Sequence, residues 1–567
     1  MSANDPKRTL ALNEGPSMPH NQTKWRPEPP PLLGFLGLFA LFAAMTAILF
    51  WQWMPHLHSA LIGPPEDNMQ DFWNTWYASV ARHPDGFFFT NMIRFPEGTP
   101  LYYHSFAYPK VFAIALLSRA TGTELPSLLF LQNISLLISF PLAGVGAFYL
   151  VRHFTQNGAG ALTGAFVFAF NPSHVAHVMH HAHVSSIEFI PFFVLSYLVA
   201  IERKSIIWLV LAIAFYGLSA LSSWYYLFYI AYFIAFHTVY IVIRDHAFPK
   251  GWNLLTPIAC LAGAIIVLSP VLVPMVKMAI GSTSVYASGV HDFVADVSGY
   301  VIFPPVHLLG GLTSDLYRRL TGNPWESTVY LGLANLLVMT WLCLYAKQKD
   351  SGLLTYVLSG MALFCVLASG YKLHVLGIPT IHMPDALLAK LPFFANVRTP
   401  SRAIVFVYLF LAIGIGHAAS LAWQHRHRRP VRWGLVAAAA LMVLDFYPFH
   451  LEMTPVSCDP RLALIRDDPE PDFGILNLPF DYSANNAYML QQTCHGRPIV
   501  VGNTSRNVTI TLVDRLETQN LQAQRRQLAA AQVKYIVISP PMEKQGDYSR
   551  SYPIVYSGPD LTILRVY

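Results

Sequence analysis

The chain has 567 residues, of which 54% are hydrophobic and only 12% charged, with a formal net charge of +6. A soluble domain carries about 25% charged residues, so a string of soluble domains, which the length alone would allow, is excluded. The modest positive excess gives no reason to expect a nucleic-acid partner; where the positive residues lie carries topological information instead.

A Pro-rich polar tail over 1–28 holds Lys7, Arg8, Lys24 and Arg26, which the positive-inside rule places in the cytoplasm. The first apolar run, 31–54, reaches the roughly 20 residues that a span needs. It starts too late and lacks the small-residue site of a cleaved signal peptide. Further runs fall near 127–150, 158–172, 186–201, 205–222, 224–243, 253–276, 327–346, 352–369, 402–423 and 432–449. Their basic flanks are Arg152, Arg203 with Lys204, Arg244, Lys347 with Lys349, and the block 425–432. If the first helix runs outward, all of these fall on the cytoplasmic side, provided the short run 107–118 is interfacial or re-entrant. The expectation is an α-helical polytopic membrane protein with about eleven spans over 29–449. Three loops face outward, 55–126, 277–326 and 370–401. After 450 the chain alternates strand-length runs (FGILNL, PIVVG, VKYIVIS, PIVYS, LTILRVY) with a polar helical stretch near 510–531. That pattern reads as a small α/β domain over 450–567, outside the membrane. Cys260, Cys343 and Cys365 fall in spans as ordinary core thiols. Cys458 and Cys494 lie outside, where a disulfide is permitted but its geometry is not legible.

The first outward loop opens GPPEDNMQDFWNTWYASV. Asp67 and Asp71 are four apart and share a helix face; Glu66 adjoins them. A carboxylate at a membrane surface can act as general base on a hydroxyl or hold a divalent metal. It can equally cap a surface helix. Trp73, Trp76 and Tyr77 follow, as an interfacial aromatic belt would. Five histidines then crowd into ten residues, His174, His177, His180, His181 and His183. Ionisable groups at a membrane boundary are expensive and usually functional. These can meet a phosphate, bind a transition metal or simply pack. In NVRTPSRAIVF, Pro400 suits a first helical position with Thr399 as its cap. Such a helix start favours an anion, and Arg398 and Arg402 offer the planar fork that reads phosphate; snorkelling to lipid headgroups is the alternative. The loop 277–326 adds Asp292, Asp296 and His307, and Glu326 opens the following helix. Trp224, Tyr225 and Tyr226 stand at an outer boundary.

Several passages, in order, resemble bacterial GT-C-type membrane glycosyltransferases. They are an acidic residue after the first helix with a D-x5-W spacing (Asp67 to Trp73), RFPEGTPLYYH ending at His104, and FAFNPSHVAHVMHHAHVSS. ESTVYLGL, led by Glu326, then NVRTPSRAIVF and YMLQQTCHGRPIVVGNTSR complete the set. The resemblance covers roughly 60–565. It implies a polytopic fold that takes a sugar from a polyprenyl-phosphate donor on the outer face, with the catalytic Asp in the first outward loop. Asp67 matches best and Asp71 second, although the loop lacks the acidic dyad of better-studied branches. His180 and His183 match the histidine passage, and with Arg398 and Arg402 they are the expected donor-phosphate ligands. Glu66, Glu326 and His104 are the expected accessory or acceptor-side residues. A divalent metal is left open. The reaction expected is inverting transfer to an envelope glycan, lipid or protein at the inner membrane, with the N-terminus cytoplasmic and the C-terminal domain periplasmic. Two rival expectations are a lipid-linked glycan transporter or flippase, which would need polar residues through the mid-spans, and a non-catalytic envelope assembly factor.

Overall fold

The computed structural model describes residues 32–81, 86–281, 293–346, 351–388, 397–506, 510–539 and 545–567. The expected cytoplasmic tail 1–28, Asp292, Lys347 and Lys349 lie outside them. Among the described residues, Leu125–Thr155, Trp224–Asp245, Trp252–Ile280 and Pro400–Gln424 are long and apolar enough to cross a membrane. Shorter apolar helices cover Leu33–Leu49, Ile206–Ser222, Leu333–Tyr345 and Gly352–Ala368. The chain is a multi-pass membrane protein, since helices satisfy their own backbone groups where no water is present.

Burial sorts these helices. The apolar window of Pro400–Gln424 is 89% buried and that of Trp252–Ile280 only 22%, so the first is the centre of the bundle and the second its lipid-facing edge. Ile265, Ile266 and Ile280 on the edge helix are exposed, as side chains meeting acyl chains should be. Close packing at the centre depends on small residues: a Cβ on Gly160 would lie 2.3 Å from the Gly416 carbonyl oxygen.

Four expectations need correction. The run 158–172 ends as a helix at Ala169, and a separate helix, Pro172–His180, carries the histidines. The Asn171 side chain caps it by accepting from the His174 N–H, with Pro172 at the first position. The helix expected to open at Glu326 begins only at Leu333, so Glu326 sits in the preceding turn, its N–H donating to Asn323 Oδ1 at 2.8 Å. Trp73, Trp76 and Tyr77 form no belt; all three are buried in a cluster shared with Ile475, Tyr488 and Ile499. The polar stretch near 510–531 is two helices, Leu512–Arg515 and Leu521–Ala530.

After residue 450 a four-stranded sheet runs Gly474–Leu478, Val533–Ile538, Thr562–Arg565, Ile554–Ser557 in spatial order. The first pair is parallel and the others antiparallel. Only one bridge, Ile475 to Ile499, forms in the PIVVG run. This sheet region is tied to the membrane part by backbone pairing, helix packing and side-chain hydrogen bonds. Met453–Pro455 pairs antiparallel with Ala60–Ile62, the helix Tyr482–His495 packs along the first-loop helix Asp67–Ser79, and Trp73 Nε1 donates to Gln492 Oε1 at 2.6 Å. Cys458 and Cys494 are disulfide-bonded, with Cα atoms 5.5 Å apart.

Candidate functional site

The first-loop helix starts where the backbone turns at Gly63. Its φ of +99° suits glycine, and a Cβ there would stand 1.8 Å from the Met179 carbonyl oxygen. The turn therefore runs directly against the histidine helix. Asn68 fixes the turn by donating to the Ile62 and Gly63 carbonyls and accepting from the Glu66 N–H. Glu66, not Asp67, occupies the cap position, and its side chain caps nothing. Asp67 is the first helical residue, with a side chain 32% exposed. One turn on, Asp71 turns inward and accepts from the Ala182 N–H at 2.8 Å. Burial pushes its carboxyl up to about 7, against the opposing pull of that hydrogen bond. Asp71 thus fastens the loop that follows the histidine helix. Lys110 does the same, donating to Ser185 Oγ at 3.2 Å, while the Ser185 hydroxyl donates to the Ala182 carbonyl at 2.9 Å.

The centre of the site is a buried ion pair. Arg402 Nε lies 3.0 and 3.2 Å from the two Glu326 carboxylate oxygens, and its Nη2 also contacts Oε1. The guanidinium lies 4.5 Å from the Tyr225 ring centroid, and Nη1 is 3.4 Å from His183 Nε2. The expected cap at Thr399 is not made by its side chain; the Thr399 hydroxyl instead accepts from the Tyr225 O–H at 3.2 Å.

His177 and His181 frame this pair. His181 Nε2 lies 3.6 Å from Asp67 Oδ2 and 3.7 Å from Glu326 Oε1, His177 Nε2 lies 3.9 Å from Glu326 Oε2, and the two Nδ1 atoms are 3.2 Å apart. One ligand atom each from His177, His181 and Glu326 falls within 4.8 Å of the others. Burial, with Arg402 adding to it, holds both imidazoles below their usual pKa, His177 at about 4 and His181 well below the ordinary imidazole value. Neutral imidazole is the ligating form. Two nitrogens and a carboxylate, with Asp67 alongside, are a donor set that suits a divalent cation such as zinc or manganese.

The other expected residues fall around this centre. His180 stands apart from the cluster, stacked on Trp325 at 3.5 Å, with Nδ1 3.2 Å from Glu66 Oε2. His104 is buried behind the first-loop helix, 2.7 Å from Asn74 Oδ1, and burial pushes its imidazole down to about 3. His174 is bound to the Ala169 carbonyl and Ser139 Oγ. Asp296 braces a loop by accepting from the Leu376 and Gly377 N–H groups, and His307 faces Asp445 at 3.3 Å. Arg398 is exposed. Burial first, and the charge of Arg398 second, hold the Arg506 pKa below its usual value. Arg506 closes the GNTSR passage quoted above but was not among the expected site residues. His177 and His181 are among the five clustered histidines, but the resemblance singles out His180 and His183 instead; His181 stands just past the helix, at its C-cap.

Residues 38–447 match the family described as a domain of unknown function, DUF6311. No curated protein matches by sequence. Among solved structures, the archaeal oligosaccharyltransferase AglB from Archaeoglobus fulgidus, in complex with an inhibitory peptide and a dolichol-phosphate, is similar at TM-score 0.50 and 13% identity. The match covers 89% of this chain and 69% of that one. The apo form of the Archaeoglobus fulgidus oligosaccharyltransferase gives the same score and identity over 91% and 71%. ArnT from Cupriavidus metallidurans in the apo state is covered to 98% by 94% of this chain, at 11% identity and TM-score 0.43. The likeness to the oligosaccharyltransferases is one of fold: this chain has the fold of the GT-C-type membrane glycosyltransferases.

Proposed function

The chain belongs to the DUF6311 family, and we propose that it is a membrane glycosyltransferase moving a sugar from a polyprenyl-phosphate donor to an envelope glycan, lipid or protein. The reaction takes place on the outer face of the inner membrane, with the N-terminus cytoplasmic and the region after 450 periplasmic. The observation that carries this reading is the part-exposed Asp67 carboxylate facing the buried His177–His181–Glu326–Arg402 cluster. AglB was solved with a dolichol-phosphate, which supports a lipid-phosphate donor here.

The acceptor hydroxyl oxygen attacks the anomeric carbon while its proton passes to Asp67. A new carbon–oxygen bond forms, the bond from that carbon to the lipid phosphate breaks, and the electron pair leaves with the phosphate. A single displacement inverts the anomeric centre. Arg398 and Arg506, together with Arg402 and His183, meet the negative charge as it develops. His180 orders Glu66 beside the acceptor path, and His104 supports the helix from behind. Asp71 holds the histidine loop in place. A divalent cation held by His177, His181, Glu326 and Asp67 would supply neutralisation of phosphate charge.

The test is transfer of labelled sugar from a panel of polyprenyl-phosphate donors by the full chain in bilayers, wild type beside Asp67→Asn and Asp71→Asn. Loss of a general base costs about 10²- to 10⁴-fold, and that loss is expected for Asp67→Asn with a smaller one for Asp71→Asn. Full transfer by Asp67→Asn removes it as the base. No transfer from any donor, with both variants still complementing a deletion strain, moves the reading to a non-catalytic assembly factor.

A further inference from the structure

The helix Tyr482–His495 brings one side chain directly to the candidate centre. Asn486 is 1% exposed, and its Nδ2 lies 3.3 Å from Asp67 Oδ1 and 3.4 Å from the Glu66 carbonyl oxygen. Its own Oδ1 accepts from Asn503 Nδ2 at 2.7 Å. Asn503 is held in turn, its Oδ1 accepting from Asn485 Nδ2 at 3.2 Å and its carbonyl from Gln70 Nε2 at 2.9 Å.

A carboxamide has one acceptor oxygen and one donor nitrogen. The Asp67 carboxylate and the Glu66 carbonyl can only accept, so the nitrogen must face them and the oxygen is left to Asn503. Asp67 begins its helix, with its side chain 32% exposed. Anchoring Oδ1 on Asn486 leaves Oδ2 towards His181 at 3.6 Å. Partners behind a ligating carboxylate orient it and raise its hold on a metal.

We propose that Asn486, backed by Asn503, is a positioning residue that aims Asp67 at the His177–His181–Glu326 cluster. The region after 450 is then a working part of the centre and not a cover over it. This rests on the cluster being the reacting centre proposed above.

The test titrates Mn²⁺ into the full chain in lipid nanodiscs for wild type, Asp67→Asn, Asn486→Ala, Asn503→Ala and Gln492→Ala, with metal-free unfolding midpoints alongside. Gln492 is the control: it lies on the same helix and bonds Trp73 and the Met92 carbonyl, so its loss loosens the same contact away from Asp67. The expected result is Mn²⁺ affinity about 10- to 100-fold weaker in Asn486→Ala, weaker by less in Asn503→Ala, and unchanged in Gln492→Ala despite a lower midpoint. Where Asn486→Ala fails to fold, Asn503→Ala decides in its place. Equal weakening in Gln492→Ala overturns the proposal, because the effect is then general docking. Affinity lost in Asp67→Asn but kept in Asn486→Ala overturns it while the reading of the site stands. No Mn²⁺ bound by wild type, or equal binding by Asp67→Asn, overturns both.

Discussion

Asp67 and Asp71 share a helix face one turn apart, yet their surroundings give them different chemistry. Asp67 is partly in water and faces His181, whereas Asp71 is desolvated and bound to the Ala182 N–H. The folded-state pKa of Asp71, about 7, lies above its ordinary 3.8. The folded protein therefore holds this proton more tightly than the unfolded chain. The associated stability is fully present below the ordinary value and is lost as pH rises through about 7. Asp71→Asn keeps an oxygen for the Ala182 N–H and cannot titrate. Unfolding measured in detergent across this range should show wild type losing stability relative to Asp71→Asn as pH rises. Parallel profiles for the two proteins would rule out the raised pKa.

At the scale of elements, the approach of the first-loop turn to the histidine helix decides whether the site assembles. Gly63→Ala would meet the Met179 carbonyl and a φ of +99° together, two costs of order 1–3 kcal/mol or more. The expected outcome is destabilisation by about 3 kcal/mol or more, read from the unfolding midpoint, with Mn²⁺ binding weakened in whatever folds. A variant as stable as wild type would mean that the two helices separate easily. Much at this scale was legible. The expected runs 205–222 and 352–369 fall within a residue of Ile206–Ser222 and Ser351–Ala368, because polar flanks bound an uninterrupted apolar stretch. The run 158–172 overshot because hydropathy does not register Asn171–Pro172, where capping chemistry starts a new helix. The junction of Glu326 with Arg402, 76 residues apart, and that of Asn486 with Asp67, 419 apart, had no local signal. Such pairs are set by how the helices and the sheet region come together.

At the scale of the whole molecule, the first outward loop and the region after 450 share one core. Leu61, Trp73, Ile93 and Leu101 pack with Ile475, Tyr488, Met489 and Val501, and the strand Ala60–Ile62 finds its partner in Met453–Pro455. Neither side buries these residues alone. A chain ending at residue 449 leaves a strand edge unpaired and the Trp73 N–H without Gln492, both costly in a buried setting. The membrane helices do not depend on this core, since Pro400–Gln424 is buried by other helices. The truncated chain should therefore keep its helical circular dichroism while protease cuts within residues 55–126, and co-expressed 450–567 should restore protection. Protection of that loop in the truncated chain by itself would show that the two parts fold independently, and the sheet region would then be a separable module.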